Sequence, residues 1–297
     1  ATFAQSDQMI SNALRVQAVM ANEQVQESSG LQSEDFGGYG SGAGRVINLQ
    51  VSVTRAQSYI DASQLADNKV QVMYSAVGSV TDIITQLRTQ LSAATTGSST
   101  ATASVINYAQ QAMAQMQGLL NTQYDGEYVF SGARTDTAPA DLSSFGTGTG
   151  SLTTSDTSYY KGDSEIASVR VSDSQSISYG ITADNPAFEQ VMRLLKFVGN
   201  NSNLSSSDVS QALDLASNAL DATSTVQAKL STAASQIETA STNQSDYQNF
   251  AKTLSTDLTS VDVAAVTAQL STYQAQLTAS YSAISKIQSM NLASYLR

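Results

Sequence analysis

A stretch near the carboxyl end of the chain carries apolar residues at alternating steps of three and four. It begins at Val263, ends at Ile287 and contains no proline or glycine. This spacing is typical of a helix that packs along another helix through a narrow seam. The flanking positions are mainly Gln, Ser, Thr and Ala, so we expect a helix that neighbours enclose. The seam consists of Val263, Val266, Leu270, Tyr273, Leu277, Ser280, Ile284 and Ile287.

The amino end predicts a matching helix over residues 1 to 29. Its thin apolar face has heptad spacing, and such a face gives an isolated helix little stability. Both ends are also poor in charge, because residues 1–30 and 258–297 together hold only seven charged side chains. We therefore expect the two ends to be buried together. The seam of the first helix consists of Met9, Ala13, Val16 and Met20.

Composition narrows the classes of function. The chain of 297 residues has no Cys, His or Trp, so it can form neither a disulfide nor a thiolate metal site. Its net charge of -11 disfavours nucleic acid or an anionic membrane as a partner. No apolar run approaches the roughly 18 residues of a membrane span. The first residues lack the layout of a cleaved signal peptide, so we expect any export to use another route.

Between the two ends the sequence predicts further helices. A glycine-rich connector over residues 30 to 44 is followed by a long helix from about Arg45 to Ala93 and a second one from about Thr100 to Gln123. Helix resumes at Pro186, and another helix begins at Ser207 or Asp208 and has no later proline to stop it. The seam of the first long helix is predicted at Val46, Leu49, Val53, Ala56, Ile60, Val70, Tyr74, Val77, Ile84 and Leu91, with Ser63, Asp67, Thr81 and Arg88 interrupting it.

The middle of the chain differs in kind. Both prolines lie between Asp125 and Glu189, and this segment holds ten acidic and three basic residues, which is -7 of the net charge. Alternating apolar residues around Ser172 to Gln175 predict a β-hairpin. The predicted fold class is therefore mainly α: long nested coiled-coil helices from both termini, with a small β-containing middle domain inserted.

We divide the chain into three predicted domains. Residues 1–40 and 257–297 form a terminal helical core. Residues 41–135 and 187–256 form a helical bundle with a β-hairpin near 124–139. Residues 136–186 form a small acidic β-rich domain that faces outward.

Several segments resemble the bacterial flagellin family. Ser28-Ser29-Gly30-Leu31 is similar to the sequence that follows the first helix of flagellins, although the S-x-x-D-D motif expected next is reduced to Ser33-Glu34-Asp35. The segment from Leu119 to Pro139 resembles the L-N-T-x-x-x-G-x-Y-x-F-S-G-x-x-T-D-T-x-P stretch of the branch that joins the flagellar hook to the filament. Tyr160-Lys161-Gly162-Asp163 and the ending from Ala279 to Leu296 also resemble that branch. The central motif residues are Tyr128, Phe130, Ser131, Gly132, Thr135, Asp136 and Thr137.

The resemblance implies a structural subunit of the extracellular flagellum. Its paired terminal helices would form the inner tube of a helical array, and its middle domain would face outward. Expected partners are further copies, hook-associated proteins, flagellin and an export chaperone, and export would proceed without a cleaved signal peptide. The implied assembly interface consists of Met9, Ala13, Val16, Met20, Val263, Val266, Leu270, Tyr273, Leu277, Ile284 and Ile287.

Three functions remain as alternatives at this point. The first is the hook-filament junction protein, and the second is flagellin, the major subunit of the filament itself. The third, of another class, is an intracellular coiled-coil scaffold, which would carry charged residues beside its seams, and these are absent here. With neither His nor Cys, the chain is predicted not to be an enzyme and to have no cofactor and no metal site.

Overall fold

The computed structural model describes residues 2–289, and it describes side chains for residues 7–287 and 289. The part of the predicted family ending from Met290 to Leu296 lies outside the described residues. The described chain is mainly helical. Its helices are α1 (Thr2–Ser29), a 3-10 helix (Phe36–Gly42), α2 (Ala43–Ala94), α3 (Ser99–Leu120), α4 (Leu142–Phe145), α5 (Pro186–Gly199), α6 (Ser206–Thr259) and α7 (Val263–Ser289).

Two short antiparallel hairpins complete the fold. β1 (Gln123–Tyr124) pairs with β2 (Glu127–Tyr128), and β3 (Ser168–Arg170) pairs with β4 (Ser176–Ser178). Asp125 and Gly126 both have positive φ, 52° and 80°, as a tight two-residue hairpin turn requires. None of the helices within residues 2–289 combines the length and the apolar content needed to cross a membrane.

The chain divides into two compact units. The terminal unit contains residues 1–55 and 247–297, and the central unit contains residues 56–246. The mainly helical fold class predicted from the sequence is confirmed. The boundaries of the three predicted domains stay a prediction. The segment 136–186 contributes Phe145, Tyr159 and Val171 to the same hydrophobic core as the helices of the central unit.

In the terminal unit, α1 packs along α7. A short ladder of backbone hydrogen bonds joins the chain just after α1 to the chain just before α7. The Gln32 amide donates to the Thr259 carbonyl (2.7 Å), and the Val261 amide donates to the Gly30 carbonyl (3.0 Å). The glycine-rich connector continues from this ladder into the 3-10 helix, so it has a defined structure.

The break between α6 and α7 corrects an expectation of the sequence. The absence of proline after Pro186 allowed one helix to continue to the carboxyl end, but α6 ends at Thr259 and α7 begins at Val263. The Asp262 carboxylate accepts hydrogen bonds from the amides of Ala264 (3.0 Å) and Ala265 (3.2 Å), which caps the start of α7. The residues between the helices bond to residues 30–32, so a long-range contact replaces the helical hydrogen bonds.

The central unit encloses the main hydrophobic core. Tyr108 of α3 donates from its hydroxyl to the Ile83 carbonyl of α2 (3.3 Å), and α3 also packs against α5. In the second half of α2 the predicted seam residues Val70, Val77, Ile84 and Leu91 are buried, and only Tyr74, at 42% exposed, is not. The buried apolar residues after Ser63 are Ala66, Val70, Met73, Ala76, Val77, Val80, Ile83, Ile84, Leu87, Leu91 and Ala94.

The exposure of Tyr74 has a physical cause. A strict alternation of three and four from Val46 places Asp67, Tyr74, Thr81 and Arg88 inward. The buried residues instead take two successive steps of three around Ser63, so the inward positions next to Val70, Val77, Ile84 and Leu91 are Ala66, Met73, Val80 and Leu87. Because α2 packs against more than one neighbour, the rotated stripe still meets the core.

Candidate assembly interface

The seam predicted at the two ends faces inward along the helix pair α1 and α7. The buried members are Ala13 (4% exposed), Val266 (6%), Leu270 (4%) and Leu277 (7%). The half-buried members are Met9, Val16, Met20, Tyr273, Ile284 and Ile287. Val263, the first residue of α7, is 42% exposed and does not pack in the seam. The structure therefore brings these residues together within one copy of the chain.

Two carboxylates continue the same seam on α1. Glu23 and Glu27 follow Met20 at the heptad steps of three and four. The Glu27 carboxylate accepts a hydrogen bond from the Thr267 hydroxyl of α7 (2.8 Å). Glu23 has one carboxylate oxygen buried without a hydrogen-bond partner among the described residues. The apolar seam therefore becomes polar toward the end of α1.

A second apolar stripe on α1 was missed by the sequence analysis. Ile10 (38% exposed), Leu14 (59%) and Val25 (43%) face solvent in a single copy. The sequence contains a pattern that predicts this stripe, because its apolar residues follow one another at helical steps of four and three. They are Ile10, Leu14, Ala18, Ala21 and Val25. A helix with two apolar stripes can pack on α7 and on a second surface at once, and in this chain the second stripe is exposed.

The central family motif forms a loop of the central unit that is packed against α5 and held by internal hydrogen bonds. Phe130 is 1% exposed, and its ring meets the Phe188 ring of α5 edge to face, with the centroids 5.5 Å apart. The buried Ser131 hydroxyl donates to the Tyr128 carbonyl (2.9 Å), and the Tyr128 amide donates to the Thr135 carbonyl (2.9 Å). Phe130 therefore anchors the loop of this motif to α5, and the hydrogen bonds within the motif fix the conformation of the loop.

The remaining motif residues lie at the surface end of this loop. The Thr137 hydroxyl donates to the Asp136 carboxylate (3.0 Å), and the Thr137 amide donates to the Arg134 carbonyl (3.0 Å). Asp136 is exposed, and Thr135 and Thr137 are half-buried. These hydrogen bonds fix the turn locally.

The second motif, Tyr160 to Asp163, is hydrogen-bonded to the first. The Asp163 amide donates to the Ser131 carbonyl (3.1 Å), and the Asp163 carboxylate accepts from the Ala133 amide (2.9 Å). Gly132 has φ +76°, and a Cβ there would lie 2.2 Å from the Asp163 carboxylate. Both motifs are recognisable in the sequence, but their contact is not, because residues about thirty positions apart leave no local pattern.

The negative charge on Asp163 is stabilised by backbone hydrogen bonds at this contact between the two motifs. Backbone hydrogen bonds from Ala133 and from Glu165 hold the pKa of the Asp163 carboxyl below its ordinary value. This carboxylate therefore has a structural role. Within residues 2–289, no three side chains of the His, Cys, Asp and Glu types are grouped so that they could hold a metal ion.

Three further polar side chains hold loops against the helices, and none of them was predicted from the sequence. The Asn121 side chain, within the first motif, accepts from the Ala140 amide (2.8 Å) and donates to the Ala140 carbonyl (2.9 Å). Lys196 of α5 is 8% exposed and donates to the Asp156 carboxylate (2.8 Å) and to the Phe145 carbonyl. Glu189 of α5, 3% exposed, accepts from the Asp156 amide (2.9 Å).

Replacing Gly162 by alanine is expected to destabilise the central unit by about 1–3 kcal/mol, the usual cost of forcing atoms into a packed site. A Cβ at this position would lie 2.3 Å from both the Ser131 carbonyl oxygen and the Tyr160 hydroxyl. Urea denaturation followed by circular dichroism measures the change. The matched control is Gly118→Ala, since that helical glycine has no atom within 4 Å of an added Cβ. Equal stabilities of the two variants would contradict the close packing of the second motif against the first at Gly162.

Alkaline pH is expected to destabilise the central unit through Tyr159 and Tyr160. Burial, followed by nearby carboxylates including Asp184, raises the pKa of both phenols above the ordinary 10.0. From about pH 10 upward the unfolded chain releases protons that the folded chain keeps, so the free energy of unfolding falls by up to about 1.4 kcal/mol per pH unit for each tyrosine. Below that pH this contribution is fully present.

Denaturation series between pH 8 and 11.5 test this dependence. Tyr159→Phe is expected to flatten the alkaline decline, because phenylalanine has no proton to lose. Tyr281→Phe is the control, since Tyr281 is 53% exposed. A decline of the same steepness in Tyr159→Phe and in the unmodified chain would refute the assignment.

Residues 1–135 match the bacterial flagellin N-terminal helical region, and residues 213–296 match the bacterial flagellin C-terminal helical region. No curated protein matches the chain significantly by sequence. A solved structure assigned as a flagellar hook-associated protein of Vibrio parahaemolyticus superposes with a TM-score of 0.62 at 16% identity, over 76% of this chain and 99% of that one.

A second solved structure shares the fold. FlgL of Bacillus cereus superposes with a TM-score of 0.56 at 16% identity, over 71% of this chain and 98% of that one. At such identities the likeness shows a common fold. The family resemblance that the sequence motifs indicated is confirmed by the two matching helical regions.

Proposed function

Because the chain belongs to the bacterial flagellin family and is a structural subunit of the flagellum, we propose that it is the subunit that joins the flagellar hook to the filament. The observation that carries this assignment is the pair of interlocked motifs. The Tyr128 to Pro139 loop and the Tyr160 to Asp163 loop are the segments whose sequences resemble the junction branch, and their backbones bond directly to each other. The fold shared with a hook-associated protein and with FlgL supports the same role.

The mode of assembly is part of the proposal. In one copy the seam residues of α1 and α7 cover one another, and the second stripe of α1 stays exposed. We assign the contacts between copies to this exposed stripe and to the half-buried rim of the seam. A contact between different faces of successive copies continues from copy to copy and builds a tube when it does not close into a ring.

The expected partners are further copies, hook-associated proteins and flagellin. Such neighbours would bury the exposed apolar side chains of α1, each worth about 1.5–3 kcal/mol when a valine- or leucine-sized group is fully covered. An export chaperone is proposed from the family resemblance alone, and this proposal uses no contact described within the chain. Export without a cleaved signal peptide, and the absence of enzymatic activity, are proposed on the same ground.

Deletion of the gene tests the junction role. We expect cells with hooks but without filaments, and filament protein released into the medium. Loss of the filament protein itself from cells and medium would instead assign the chain as flagellin, the alternative function. Complementation with the unmodified gene is the control, and it should restore attached filaments and motility.

A further inference from the structure

A loop of the central unit lies against α5 and is held there by one stripe of polar side chains. This loop, residues 141–158, contains α4 and a glycine-rich run, and it is here called the covering loop. At the glycine-rich run, the Asn200 side chain donates a hydrogen bond to the Gly148 carbonyl (3.0 Å). The stripe follows helical steps of four, three and four, so its members share one face of α5 and its C-cap. They are Glu189, Arg193, Lys196 and Asn200.

Lys196 and Glu189 make the central contacts of this stripe. The Lys196 ammonium donates to the Asp156 carboxylate (2.8 Å) and to the Phe145 carbonyl, and the Glu189 carboxylate accepts from the Asp156 amide (2.9 Å). The Lys196 ammonium also lies 4.1 Å from the centroid of the Phe145 ring. A Cβ at Gly150 would lie 3.3 Å from the Lys196 side chain, so the loop is packed closely on the stem of this lysine. Lys196 is therefore enclosed between α5 and the covering loop.

The covering loop also carries apolar side chains into the core. Phe145 is 3% exposed and Leu152 is 9% exposed. The Phe145 ring meets the buried Tyr159 ring edge to face, with the centroids 5.1 Å apart. We therefore expect the exposure of Phe145 and Leu152 to report whether the loop lies on α5.

The charges around Lys196 are balanced at neutral pH. Asp156 pairs with Lys196, and the Arg193 Nε lies 3.2 Å from the Glu189 carboxylate. α3, which also packs against α5, has no charged side chain between residues 99 and 120. The other titratable side chains beside this cluster are Tyr159, Tyr160 and Asp184. Asp156 is therefore the carboxylate that directly compensates the buried Lys196 charge.

An ion pair of this kind makes the contact depend on ionisation. Apolar side chains of similar volume often hold two segments together as well as a buried ion pair does, whereas loss of one partner leaves an uncompensated buried charge. The rest of α5 buries apolar side chains such as Phe188, Val191 and Leu195, so the charged stripe is not needed to build its core. The charged contact gives the covering loop a dependence on pH that apolar packing does not have.

We propose that acid releases the covering loop: protonation of Asp156 leaves Lys196 buried without a counterion, and the loop leaves α5 while the helices of the central unit stay folded. Burial disfavours the charged form of Asp156, but the hydrogen bonds from Lys196 and Ser158 outweigh it and hold the pKa of the Asp156 carboxyl below its ordinary value of 3.8. A carboxyl with a lowered pKa contributes stability that is complete above about pH 4 and is lost as the pH falls through the lowered pKa. The loop is therefore expected to stay on α5 at neutral pH and to open below about pH 4.

Hydroxyl-radical oxidation of the purified full chain, read by mass spectrometry, tests the inference. We expect Phe145 and Leu152 to be protected at neutral pH and to be oxidised readily at about pH 2.5, while Phe188 of α5 stays protected. Asp156→Asn imitates the protonated carboxyl. This variant is therefore expected to lose the protection of Phe145 and Leu152 already at neutral pH.

A second substitution distinguishes the unpaired charge from the mere loss of a hydrogen bond. Adding Lys196→Met to Asp156→Asn is expected to restore the protection of Phe145 at neutral pH. Methionine removes the unpaired buried charge and keeps an apolar contact with the Phe145 ring. If the ion pair only contributed one more contact, the double variant would be at least as open as Asp156→Asn.

Asp141→Asn is the matched control. It removes a charge from the same loop, and asparagine still caps α4, so the protection of Phe145 is expected to stay unchanged. Three results would each overturn the inference: continued oxidation of Phe145 in the double variant, unchanged protection in Asp156→Asn or in the unmodified chain at acid pH, or simultaneous oxidation of Phe188. The junction role is tested separately by the deletion strain, and none of these results affects it.

Discussion

Leu270→Asp is expected to abolish assembly of the subunit while the central unit stays folded. Leu270 is 4% exposed in the seam between α1 and α7, and no basic side chain of the described seam is available to pair with a new carboxylate. Losing the leucine side chain costs about 2–5 kcal/mol, and burying an unpaired carboxylate adds to that cost. The helix pair should separate, since the ladder near residues 30 and 260 and the bond from Thr267 to Glu27 lie at one end of the pair and do not replace the apolar seam.

Complementation of the deletion strain measures the effect on assembly, with attached filaments counted by electron microscopy. Hydrogen exchange of the purified subunit should show lost protection in α1 and α7 and retained protection in α3 and α5. Ala268→Asp is the matched control, because it places the same charge two residues away at an exposed position of α7. A Leu270→Asp variant that assembles as well as Ala268→Asp would refute the assigned role of the seam.

Phe130→Ala is expected to lower the free energy of unfolding of the central unit by about 3–5 kcal/mol, the usual range for a buried aromatic residue. Phe130 is 1% exposed, contacts Phe188 edge to face and precedes the backbone contacts between the two motifs. Its removal leaves a cavity between the loop and α5, so the neighbouring bond from the Ala183 amide to the Phe130 carbonyl (2.8 Å) is expected to loosen as well.

Urea denaturation followed by circular dichroism compares this variant with Phe250→Ala. Phe250 is 64% exposed, so the same substitution there should change the stability of the isolated subunit by about 0.5 kcal/mol or less. Similar midpoints for the two variants would show that the first motif does not anchor its loop to α5. A complemented strain with Phe130→Ala should also lose attached filaments at elevated temperature, since the central unit would be closer to unfolding.

The helices of this protein follow from local periodicity. The amino-terminal helix, the helix that begins at Pro186 and the apolar spacing of Val266, Leu270 and Leu277 were all predictable, because each depends on residues within a few turns of one another. The β-hairpin around Ser172 to Gln175 was predictable for the same reason. The composition likewise limited the chemistry, since a chain without Cys or His offers few catalytic or metal-binding groups.

The tertiary structure alone revealed the second, exposed stripe of α1, the change of phase in the seam of α2, the end of α6 and the contact between the two motifs. The last two depend on neighbours that are distant in sequence: Thr259 is paired with Gln32, and Asp163 is paired with Ser131 and Ala133. A periodic pattern predicts that one face of a helix is buried, but it does not predict which partner buries that face. Local spacing therefore determined the elements of this protein, and contacts between distant segments determined which of their faces remain exposed for other subunits.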